Sequence, residues 1–114
     1  MEKDILKTKS FAFAVRIVKF ALLLQKEKKE FTLSQQILKS GTSIGANVAE
    51  AHAAISRADF SAKISIAHKE TMYWLTLLKE TDFLEENLFQ SLFSDAEELA
   101  KITFSVLKTT RLKK

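Results

Sequence analysis

Thr32 to Ala51 reads TLSQQILKSGTSIGANVAEA. Within it Leu33, Ile37, Gly41, Ile44, Val48 and Ala51 recur at spacings of three and four, and Ile55 continues the series. That is the period of one helical face. The stretch also holds both glycines of the chain, and no proline occurs anywhere in its 114 residues. Ordinary usage would supply about eight glycines and about six prolines. Sheet proteins use those residues in their tight turns. A sandwich, a barrel or a loop-rich α/β fold is therefore excluded, and a few long helices joined by short links are expected.

Gly41-Thr42-Ser43-Ile44-Gly45 also spells G-x-S-x-G, the pattern of a hydrolase nucleophile elbow. That device needs a strand before the serine and a helix after it. Here the preceding residues continue a helical series, and the chain is too short for a hydrolase sheet. Gly41 and Gly45 instead lie four apart on one face, where absent side chains let a second helix approach closely. Two mid-helix glycines cost about 1 kcal/mol each relative to alanine, so close packing is the expected return. Beside that face Ser40, Ser43, Asn47 and Glu50 form a polar seam. Buried polar groups are paired, so these four are expected to bond to neighbouring helices and fix their register. A small polar site inside the bundle is the other reading.

Three more helical segments extend outward from this one. The first spans about residues 5–26, with Asp4 as a candidate cap. Thr32-Leu33-Ser34-Gln35 and Ser56-Arg57-Ala58-Asp59 have capping-box form and are expected to open the second and third. Phe60, Ile64, Ala67, Thr71, Trp74, Leu75 and Leu78 stripe the third. Leu88, Leu92, Ala96, Leu99, Thr103 and Val106 stripe a fourth, over about residues 86–112. Residues 1–114 thus read as one all-α domain, an antiparallel up-down-up-down four-helix bundle.

The first segment departs from a bundle helix. From Phe11 to Leu24, twelve of fourteen residues are apolar, and only Arg16 and Lys19 are not. A solvent-facing helix needs a polar side, and fourteen residues are too few to span a bilayer, which takes about 20. Self-association through this helix is expected; the alternative is a helix central to its own bundle.

Net charge is +4 and unevenly placed. Residues 1–30 hold eight Lys/Arg against four acids, residues 106–114 hold four and no acid, and residues 82–105 hold six acids and one Lys. Clustered cations are the electrostatic footprint of phosphate-backbone binding. Lys7, Lys9, Arg16 and Lys19 of the first helix, with Lys108, Arg111, Lys113 and Lys114 of the tail, are the candidate nucleic-acid contacts. The acidic stretch is expected to lie away from that surface. There is no cysteine, and the two histidines, His52 and His68, form no E-x-x-H pair, so neither thiolate nor di-iron chemistry is indicated. No catalytic residue, metal or cofactor is assigned. The charged start Met1-Glu2-Lys3-Asp4 has no signal-peptide form, and a cytoplasmic protein without a membrane partner is expected.

Lys9–Phe20 (KSFAFAVRIVKF), Glu30–Ala51 (EFTLSQQILKSGTSIGANVAEA), Arg57–Glu70 (RADFSAKISIAHKE) and Tyr73–Thr81 (YWLTLLKET) resemble a bacterial four-helix-bundle family, the ribosomal RNA intervening-sequence proteins. The resemblance covers about residues 5–110 and is most specific at SGTSIGANVAEA. It implies a left-handed bundle assembled as a ring-forming homopentamer. The accessory protein of diversity-generating retroelements looks like a relative, which implies RNA or DNA, and a reverse transcriptase or ribosome-related protein, as partners. The family offers no established catalytic residue to carry over. Asp82 stands where the family usually has Gly, so it is expected just past the third helix with positive φ, a region Asp tolerates better than most.

Overall fold

The computed structural model describes residues 2–51 and 56–112, with side chains for 4–51 and 56–108. Four helices account for the order: α1 Glu2–Lys28, α2 Thr32–Glu50, α3 Arg57–Glu80 and α4 Glu86–Leu112. No strand occurs among the described residues. Each helix packs on the next, and α4 closes back on α1, giving a bundle of 49 × 23 × 20 Å.

The described helix ends at the α1–α2 and α3–α4 links are closed locally. At the end of α1, Lys29 takes φ 53 and the Glu30 amide donates back to the Leu24 carbonyl at 3.2 Å. At the end of α3, Asp82 takes φ 66, as expected. Its amide donates to Lys79 and that of Phe83 to Leu78, the paired bonds of a Schellman motif. The Ser56 hydroxyl accepts from the Asp59 amide at 3.1 Å and opens α3 as read. The capping box read at Thr32 does not form. Phe31 occupies the cap position without a side-chain bond, and the Glu30 carboxylate reaches forward to accept from the Ser34 amide at 2.8 Å. A carboxylate two residues upstream thus takes the role assigned to the Thr32 hydroxyl. The α2 helix ends at Glu50; Ile55 and His52 lie outside the described residues.

The core follows the 3–4 spacing. Leu6, Phe13, Ile17, Ala21 and Leu24 of α1 meet Ile37, Ile44 and Val48 of α2. Phe60, Ile64, Ala67, Leu75 and Leu78 of α3, with Leu92, Ala96, Leu99 and Val106 of α4, complete it. Each fully buried Leu, Ile or Phe contributes about 1.5–3 kcal/mol of burial free energy. Gly41 brings α2 hard against α1: a Cβ there would stand 2.8 Å from both γ-carbons of Ile17. At Gly45 it would stand 3.3 Å from the Ser10 carbonyl oxygen. Close approach is therefore what the two glycines permit.

Candidate functional site

The basic residues of α1 divide between two sides of the helix. Lys9 and Arg16 face α4. The Lys9 ammonium lies 2.8 Å from Glu98, and the Arg16 guanidinium pairs with Asp95 at 2.5 Å while donating to the Ser91 hydroxyl at 3.0 Å. The expectation that the acidic stretch lies apart from the basic contacts is corrected here. Antiparallel packing of α1 on α4 brings Asp95 and Glu98 directly beside Arg16 and Lys9. Their positive charge is locally neutralised at the α1–α4 seam. Lys7, Lys19 and Lys108 are exposed and have no ion-pair partner among the described residues. The Arg111 side chain, and Lys113 and Lys114, lie outside the described residues.

The polar seam does not bridge helices. The Ser40 hydroxyl, buried, reaches its own helix at the Ile37 carbonyl (3.5 Å), and Ser43 donates to Ser40 at 2.8 Å. The Asn47 amide donates to the Ser43 carbonyl at 2.8 Å, and Glu50 is exposed. Short polar side chains in a helix have a carbonyl of the preceding turn within reach, and that local bond is the one made. The expected cross-helix network is therefore absent among the described residues, and the Ser43 hydroxyl lies mid-helix rather than on an elbow.

One buried titratable group stands apart. His68 of α3 sits against α4, its Nε2 3.3 Å from the Thr103 hydroxyl. That hydroxyl already donates to the Leu99 carbonyl at 2.7 Å. Nε2 must then carry the proton, which leaves Nδ1 as a buried acceptor without a partner. Burial pushes the imidazole down to about 4. A neutral histidine locked in a helix interface has no accessible reaction partner, so it reads as structural. Among the described residues no three His, Asp or Glu side chains gather as metal ligands. No helix among them is long and apolar enough to cross a membrane.

The other side of α1 is apolar and uncovered. Phe11, Val15, Val18 and Leu22 are 71%, 39%, 38% and 56% exposed. Their spacings of four, three and four make one stripe, turned away from the buried row Leu6, Phe13, Ile17 and Leu24. Where α1 begins, the stripe runs into a groove against α2, floored by Thr42, Gly45, Ala46 and Ala49. The apolar run thus serves two faces. This second face was signalled by composition, but its residues could not be assigned until the inner row was known.

The 23S rRNA-intervening sequence protein family matches residues 2–105. Among solved structures, a protein of unknown function from the S23 ribosomal protein family of Bacteroides thetaiotaomicron VPI-5482 is 48% identical to this chain. It superimposes with a TM-score of 0.86, covering 95% of this chain and 99% of that one. No curated protein matches. Neither description that does match names a reaction. The match runs over nearly the whole length: this chain belongs to the 23S rRNA-intervening sequence protein family.

Proposed function

We propose that the chain is a non-enzymatic bundle that self-associates through α1, as the pentamer implied by the resemblance, and binds RNA or DNA backbones through its basic end. The observation that carries self-association is the uncovered stripe Phe11, Val15, Val18 and Leu22. Contiguous apolar surface of that kind marks an interface. Antiparallel packing sets the start of α1 and the end of α4 at one end of the bundle, so Lys7 and Lys108 share it. Arg111, Lys113 and Lys114 follow Lys108 in the sequence. Several such ends in one assembly would multiply a field that a single chain at +4 supplies only weakly.

Fluorescence anisotropy with RNA and DNA across a salt series tests the binding. Each phosphate contact should add about 0.9 to the slope of log K against log salt for duplex DNA and about 0.7 for single strands. Replacing Arg111, Lys113 and Lys114 by Gln should lower affinity and slope together. A second reading, an oligomeric protein-interaction scaffold with no nucleic-acid role, is favoured by the pairing of Lys9 and Arg16 with Glu98 and Asp95. Absence of binding at ~50 mM salt, where backbone contacts are strong, would select it.

A further inference from the structure

We infer that copies of this chain join head to tail, the α1–α2 groove of one taking an α3 ridge of the next, with Lys7 paired to Glu70 of the second copy. This mode rests on the self-association proposed above and extends its interface from Phe11, the first residue of the stripe, into the adjoining groove. The receiving surface is the groove lined by Lys7, Phe11, Ala14, Gly45, Ala46 and Ala49. Its floor is built of the smallest side chains, so it accepts large ones.

The ridge is on α3. Ile66 and Tyr73 are 56% and 59% exposed, and Glu70 stands exposed between them. At about 100° per residue the three fall within one arc of about 60°. Charge complements shape. Lys7, which lines the groove with Asp4 and Phe11, and Glu70, which lies between Ile66 and Tyr73, have no ion-pair partner within the chain among the described residues.

Register supplies a further condition. Lys9 opposite Glu98, Gly45 behind Ser10 and His68 beside Thr103 fix the relative heights of the four helices. Carried along the axis at ~1.5 Å per residue, these contacts place Glu70 level with Lys7. They place Tyr73 level with Lys9 and Ser10, inside the span of the groove. Two copies can therefore dock side by side without an axial step, as a closed ring requires.

Direction supplies the last condition. The buried row of α3 and the contact of His68 with α4 turn Ile66 and Tyr73 toward the outer α2–α3 face. The groove opens on the α1–α2 face. Those faces are adjacent rather than opposite, so repeating the contact turns the chain of copies back on itself and closes a small ring. Surfaces on opposite faces would instead propagate a filament.

The test uses two variants at exposed positions, Ala46→Glu in the groove and Tyr73→Glu on the ridge, with light scattering for mass and helical circular dichroism to confirm folding. Each alone should be a folded monomer. An equimolar mixture should give dimers and nothing larger, because one intact groove meets one intact ridge. Lys7→Glu and Glu70→Lys should each weaken self-association about tenfold, and the double reversal should restore it. Assembly of Tyr73→Glu to the full size would overturn the head-to-tail mode while leaving self-association intact, as would a mixture that stays monomeric. A wild-type monomer throughout the micromolar range would overturn both.

Discussion

Replacing Gly41 by Ala adds one carbon at the tightest point of the α1–α2 contact. The new Cβ would lie 2.8 Å from Cγ1 and Cγ2 of Ile17 and 3.2 Å from its Cβ, where carbon pairs prefer about 3.5–4.0 Å. Ile17 is fully buried and β-branched, so its side chain is stiff, and no change of rotamer moves its Cβ. The helices must move apart, and overpacking of this kind costs about 1–3 kcal/mol. Against that, Ala gains about 1 kcal/mol of helix propensity over Gly. Gly45→Ala gains the same propensity but meets one carbonyl oxygen at 3.3 Å. Subtracting the two variants cancels propensity and leaves sterics. Gly41→Ala should be about 2 kcal/mol less stable than Gly45→Ala. Urea unfolding followed at 222 nm, at one fixed chain concentration because assembly shifts the midpoint by mass action, measures the difference. Ile17→Ala alone should cost about 2–5 kcal/mol. Its cost should shrink by at least about 1 kcal/mol when Gly41 is already Ala, since both clashing carbons are gone. If Gly41→Ala equals or exceeds Gly45→Ala in stability, the close-approach account of Gly41 is wrong.

His68 ties stability to pH. Its ordinary value of 6.5 falls to about 4 in the fold, so the unfolded chain binds a proton that the folded chain refuses as pH drops from 6.5 toward 4. At 1.36 kcal/mol per pH unit this removes about 3 kcal/mol across that window and nothing above it. His68→Leu should flatten that part of the curve in pH-dependent urea melts; parallel wild-type and variant curves would refute it. Asp82→Gly should gain about 1 kcal/mol and Asp82→Val should lose about 1–2 kcal/mol, because φ 66 strains a side chain, most of all a β-branched one. Equal thermal midpoints for the two would show the turn relaxing instead. Ser56→Ala should cost about 1 kcal/mol through the lost cap on the Asp59 amide, read as a lower urea midpoint at unchanged m-value.

The faces of α3 and α4 were legible because their apolar residues are sparse enough for a period to stand out. Phe60, Ile64, Thr71 and Leu78, or Leu92, Ala96 and Leu99, are inner by spacing alone. The α1 helix was not legible in that way. With twelve of fourteen residues apolar, Phe13 and Phe11 are equivalent in a one-dimensional pattern, yet one is buried and the other largely exposed. The difference is set by which side of α1 packs on α2 and α4, and the α4 contact spans 79 and 89 residues of chain. The seam misled for a local reason. A Ser or Asn at helical spacing looks the same whether it bonds across helices or back to its own turn. The capping reading at Thr32 failed similarly, since Glu30 could reach the same end of the helix.

The order in which the helices touch bears on how fast the chain folds. Among the described residues, helices that touch are neighbours in sequence, apart from the long closure of α4 on α1. Such local topologies fold in microseconds to milliseconds. The turns at Lys29 and Asp82 use positive φ at ordinary residues, and the chain has no proline. Prolyl isomerisation, which elsewhere holds a fraction of molecules back for tens of seconds, has no bond on which to act. Docking α4 on α1 closes the longest loop of the chain and brings Asp95 and Glu98 to Arg16 and Lys9. Until that contact forms, one side of α1 lies bare in addition to its outer stripe; once it forms, the stripe Phe11, Val15, Val18 and Leu22 is still exposed and waits on self-association for its cover.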